Sequence, residues 1–139
     1  MSDKFRHNVY DPTYHEMIEY GIIGKEKVLD VFDGFQWNKL VEKYILAMKN
    51  NEEVFFLPAL EFMNETNEYG ICIETHPETS HEFEIYFCRP KVVSKFFGVV
   101  KHIDKLFTSI RTGQTLGDAR EATVALINNN MDALEKRWG

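Results

Sequence analysis

Across residues 50–88 the chain has no lysine and no arginine. The same stretch carries nine glutamates: Glu52, Glu53, Glu61, Glu65, Glu68, Glu74, Glu78, Glu82 and Glu84. Residues 89–111 reverse the sign, with Arg89, Lys91, Lys95, Lys101, Lys105 and Arg111 set against Asp104 alone. The net charge of −6 therefore comes almost entirely from one acidic segment. Segregation of this kind builds a potential that steers a partner of opposite charge. Nucleic acid is not the expected partner, because duplex binding needs clustered cations facing phosphate. The basic stretch alternates with apolar residues, so its cations are expected to cover core surface or to pair with the glutamates.

Other absences narrow the class further. No apolar run approaches the roughly 20 residues that span a bilayer, so no membrane partner is expected. The opening residues MSDKFRHNVYDPTYHE lack an apolar signal segment, which makes the expected location cytoplasmic. The two cysteines, Cys72 and Cys88, do not make a zinc site by themselves. Without export they are expected as reduced thiols. There is no GxSxG elbow, no phosphate-binding-loop lysine and no GxGxxG. Gly113 and Gly117 precede a helix and resemble an anion-binding loop, but a turn plus a helix cap explains them equally well. Neither catalysis nor a cofactor is expected.

What the chain does have is core material: 44% apolar residues, 14% aromatics and eleven phenylalanines in 139 positions. No repeat or linker divides it, so residues 1–139 are expected to form a single α+β domain. Asp11-Pro12 reads as a helix start, followed by Tyr14, Met17 and Ile18 on one face. Residues 25–33 fit a short helix or a strand. Trp37, Leu40, Val41, Tyr44, Ile45 and Met48 recur at helical spacing and predict the core face of a packed helix. Residues 54–57 read as a short strand ended by Pro58. Further strands are expected near Leu60 and Phe62, over 69–75 and over 82–87. In the last, Phe83, Ile85 and Phe87 point inward while Glu82, Glu84 and Tyr86 point outward. Residues 91–100 read as a short helix or an irregular segment, and 103–111 as a strand. Thr115 and Asp118 form a capping box opening a helix with Leu116, Ala119, Ala122, Thr123, Leu126 and Ile127 buried. Asn128 to Asn130 break it, and a last helix places Leu134 and Trp138 inward. The expected fold is thus α+β: a small, mainly antiparallel sheet over about 54–111, packed against N-terminal and C-terminal helices.

Two clusters invite chemistry. His76, Glu78 and His81, flanked by Glu74 and Glu82, could surround a divalent metal, but a polar connection with solvated histidines accounts for the same residues. No metal is expected there. Glu82 and Glu84, two apart on one strand, imitate a glycosidase carboxylate pair, and a solvated strand face explains them equally.

Residues 96–138 read FFGVVKHIDKLFTSIRTGQTLGDAREATVALINNNMDALEKRW. This order of aromatic-glycine element, strand, capped helix at TLGDA and final helix with tryptophan resembles the tail of small bacterial immunity proteins. It covers about a third of the chain. The resemblance implies tight, non-enzymatic binding to a toxin domain, often a basic nuclease, and it assigns no residue roles. Both lines lead to one expectation: a protein that occludes a positively charged partner, such as a cognate toxin, through an acidic sheet face. That face is expected to comprise Glu61, Glu65, Glu68, Glu74, Glu78, Glu82, Glu84 and Tyr86. The alternatives are a homo-oligomeric structural or adaptor subunit pairing through residues 54–57, and a small ligand-binding α/β enzyme with an aromatic pocket.

Overall fold

A computed structural model describes residues 3–78, 82–95 and 100–139, with the side chains at 93–95, 100–103, 105 and 106 left out. Alternating side chains organise it. Six strands run β1 (Lys4–Tyr10), β2 (Ile18–Gly24), β3 (Ala59–Asn64), β4 (Gly70–Thr75), β5 (Phe83–Lys95) and β6 (Val100–Gln114). They form one sheet in the order β2-β1-β3-β4-β5-β6, every neighbouring pair antiparallel. Phe5, Leu60, Phe62, Ile71, Ile73, Phe83, Ile85 and Phe87 fall on one face and are buried. The period of two sends their neighbours Glu61, Cys72, Glu74, Glu84 and Tyr86 to the other face.

Helices α1 (Lys25–Asp33), α2 (Trp37–Lys49), α3 (Leu116–Ile127) and α4 (Met131–Trp138) complete the described elements. Val28 and Phe32 of α1, the small face of α3 (Ala119, Ala122, Thr123) and Leu134 and Trp138 of α4 join the buried sheet face in one core. The α+β expectation holds. So does the capping box: Thr115 Oγ1 accepts from the Asp118 amide at 3.0 Å, and Asp118 Oδ2 from the Thr115 amide at 2.9 Å. Leu116, by contrast, is 44% exposed, because the first helical turn overhangs the core edge. No described helix is long and apolar enough to cross a membrane.

Three expectations are corrected. Asp11-Pro12 starts a turn, not a helix: Asp11 Oδ1 accepts from the Thr13 amide at 2.9 Å and its hydroxyl at 3.0 Å. The chain then returns as β2, so the sheet begins at Lys4 and not near residue 54. Strand pairing overrides the local helix cap there, with Gly21 at φ +97° beside a bulge that lets Tyr20 stack on His7. Residues 54–57 form no strand. Pro58 sits immediately ahead of β3, where its missing N–H costs no ladder bond. Finally, β5 continues to Lys95 and β6 starts at Val100, with β-branched Val92, Val93 and Ile103 in a long hairpin where a helix was one reading. The aromatic-glycine element expected at residues 96–98 lies outside the described residues.

Arg89 fastens this hairpin to α4. It is 1% exposed and meets Glu135 through Nε at 2.8 Å and Nη2 at 3.0 Å. Its Nη1 donates to the Phe87 carbonyl at 3.1 Å and to Ser109 Oγ at 2.7 Å. The guanidinium also lies 4.4 Å from the Phe87 ring centre and 4.7 Å from that of Phe107. A buried cation held by four hydrogen bonds, two of them to its counter-ion, tolerates the loss of that counter-ion poorly. Glu135→Ala should therefore cost about 2 kcal/mol or more in denaturant unfolding, whereas Glu121→Ala on the exposed side of α3 should cost under about 0.5 kcal/mol.

Candidate functional site

Rows of residues facing away from the core follow directly from the register. Tyr10 is opposite Ala59, Ala59 opposite Glu74, and Glu74 opposite Glu84. The next row runs Asn8, Glu61, Cys72, Tyr86 and Ile110. A groove of about 360 Å³ lies over these rows, walled by Tyr10, Phe56, Leu57 and Met63 and carrying Glu61, Cys72, Glu74 and Tyr86. Among the described residues no helix contributes to its lining, and no lysine or arginine does either. Phe56 packs edge-on against Tyr10 at 5.2 Å, so residues following α2 close one end of the groove.

Four of the eight expected site residues come together here: Glu61, Glu74, Glu84 and Tyr86. The other four do not. Glu65 and Glu68 belong to the β3–β4 turn, Glu78 to the β4–β5 connection, and Glu82 precedes β5 as an exposed residue. Glu61 is engaged by Asn8 Nδ2 at 2.8 Å, and Glu65 lies 3.7 Å from Arg6. The carboxylates that meet are Glu74 and Glu84, facing each other across β4 and β5, not Glu82 and Glu84 along one strand. Sequence spacing within a strand is visible beforehand; register between strands is not.

His76 is not a solvated turn residue. Its Nε2 lies 3.1 Å from Glu84 Oε1 and 3.9 Å from Glu74 Oε1. Tyr86 donates to Glu84 Oε2 at 3.0 Å, with Glu74 Oε1 at 3.4 Å from the same hydroxyl. His81 lies outside the described residues. Burial and then the facing Glu84 push the Glu74 carboxyl above the usual carboxylate range, against the opposing pull of His76 and Tyr86. Burial, with Glu74 and Glu84 adding to it, also raises the Tyr86 phenol. The Tyr10 phenol is pushed up to about 12, first by burial and then by Glu61, Cys72 and Glu74. Burial drives the Cys72 thiol strongly upward, so it stays protonated and unreactive as a nucleophile. Both cysteines are free thiols. Glu74, His76 and Glu84 together present three ligand atoms within 4.8 Å of one another.

The helix α2 departs from its expected role. Trp37 and Ala47 are buried, but Ile45, Leu46 and Met48 are 50%, 56% and 51% exposed. The less exposed face runs the length of the helix through Trp37, Leu40, Val41, Tyr44 and Ala47, and Ile45 and Met48 of the expected stripe lie beside it. A second cavity of about 340 Å³ opens between α2 and the β1–β2 pair, with His7, Tyr20 and Lys39 in its lining.

The raised Glu74 carboxyl has a signed consequence. A folded state that holds this proton more tightly than the unfolded chain loses stability as pH rises from the ordinary carboxylate value through the raised one. Glu74→Gln keeps an acceptor for Tyr86 and removes the charge. It should raise the melting temperature near about pH 7 and leave it unchanged or lower near about pH 4. An equal shift at both would mean that repulsion is not the cause.

Comparison with protein-family models, with curated proteins and with solved structures finds no match for this chain.

Proposed function

We propose that the chain is a non-enzymatic binding protein that receives a positively charged protein partner in the groove on its helix-free sheet face. The observation that carries this is the lining itself: carboxylates Glu61 and Glu74, aromatic and aliphatic walls and, among the described residues, no lysine or arginine. Glu84 stands directly across from Glu74 and extends the acidic row. An arginine or lysine from a partner fits such a groove, its aliphatic stem against Phe56 and Tyr10 and its head between Glu61 and Glu74. The protonated Cys72 supports binding over nucleophilic chemistry. Within this class, an immunity-type inhibitor that occludes a basic toxin domain such as a nuclease agrees with the layout of the C-terminal third.

Affinity for such a partner resides in the central groove, with Glu65, Glu68, Glu78 and Glu82 acting at longer range on the encounter rate. The test uses a protein captured by the wild-type chain from its native host and compares it on the Glu61→Gln, Glu74→Gln, Glu84→Gln variant. Its association rate should fall steeply with added salt, and the triple variant should bind about tenfold more weakly or worse. A rate indifferent to ionic strength, or a partner that binds both proteins alike, removes the proposal.

A second reading, self-association, has one observation in its favour: edge strand β2 exposes Tyr20 and Ile22, each 60% accessible. Such an edge pairs readily with another copy. Light scattering at micromolar concentration separates the two, since the docking reading requires a monomer and self-association does not.

A further inference from the structure

We propose that Glu74, His76 and Glu84 form a binding site for one divalent transition-metal ion, zinc being the best fit, at the rim of the free-face groove. The three ligand atoms already converge within 4.8 Å. A tetrahedral zinc holds imidazole nitrogen at about 2.0–2.1 Å and carboxylate oxygen at about 2.0–2.2 Å, which sets ligand atoms roughly 3.4 Å apart. The distances of 3.1 Å from His76 Nε2 to Glu84 and 3.9 Å to Glu74 bracket that value. Small side-chain rotations, without backbone movement, complete the triangle.

The surroundings favour a cation of this kind. Glu74 and Glu84 are forced together by register, and like charges directly opposite on a sheet repel. Among the described residues neither carboxylate has a lysine or arginine ion pair. Their side chains are 23% and 22% exposed, so bulk water screens the pair only in part. Tyr86 donates to Glu84 Oε2, the oxygen that does not face His76, and so orients Glu84 for ligation by Oε1. One imidazole and two carboxylates select a borderline metal such as zinc over magnesium or calcium, which take oxygen alone. Three protein ligands leave coordination positions for water or for an incoming group, and Glu74 and Tyr86 place them beside the groove. The site stands whether or not a protein docks on the same face.

Titration of the metal-stripped chain with zinc chloride by isothermal calorimetry tests this, with magnesium chloride as comparison. One zinc per chain should bind, with no magnesium heat at matched concentration. His76→Ala and Glu84→Gln should each abolish binding, Tyr86→Phe should weaken it about tenfold, and His15→Ala should leave it intact. Imidazole nitrogen shifts of His76 in the wild-type protein report the contact without any substitution. Absence of stoichiometric zinc binding, binding that survives in both His76→Ala and Glu84→Gln, or binding lost in His15→Ala would overturn the site.

Discussion

Strict alternation in β3, β4 and β5 sends Leu60, Phe62, Ile71, Ile73, Phe83, Ile85 and Phe87 to one side of the sheet, and helices cover that side alone. The other side has no helical cover, so whatever alternates with the core residues is left facing a groove. Everything functional in this molecule depends on that one-sidedness. In a sheet buried on both faces, Glu61, Glu74 and Glu84 would each carry a heavy desolvation cost. Here they sit half-buried, near enough to the low-dielectric sheet to act on one another and open enough to meet a partner.

The opposition of Glu74 and Glu84 then shapes the local chemistry. Two carboxylates in register repel; His76 and Tyr86 relieve the repulsion from two directions. Burial, and after it what remains of that repulsion, holds the Glu74 carboxyl above the usual carboxylate range. The proposed cation-binding face and the proposed metal centre would both complete the balance with an external charge, and both draw on Glu74 and Glu84. Arg89 performs the equivalent task on the opposite side, where full burial requires an internal counter-ion, Glu135, and aromatic walls. The chain thus pairs its fully buried Arg89 internally and leaves Glu74 and Glu84 half-buried beside His76 and Tyr86.

Much of this was legible beforehand because the physics is local. The alternation of Phe83, Ile85 and Phe87 with Glu84 and Tyr86 fixes which residues share a face, and a period of two needs no knowledge of neighbours. The cap at Thr115 and Asp118 and the Asn128–Asn130 break between α3 and α4 are equally local. The N-terminal strands were illegible for the opposite reason: Asp11-Pro12 satisfies a helix-cap pattern, and only pairing with β1 makes residues 18–24 a strand. The exact inward side of α2 escaped as well, since Ile45 and Met48 keep helical spacing although the buried face passes through Tyr44 and Ala47 beside them.

The candidate site divides along the same line. By itself the sequence determined that this chain concentrates acid, that Glu84 and Tyr86 face away from the core, and that Cys72 and Glu74 share a face, because each follows from side-chain alternation along one strand. Only the tertiary structure decided that Glu74 meets Glu84, that His76 reaches both, and that Glu65, Glu68, Glu78 and Glu82 stay apart in connections. Those outcomes depend on register between strands and on which face the helices cover, and both are set by the packing of the whole core.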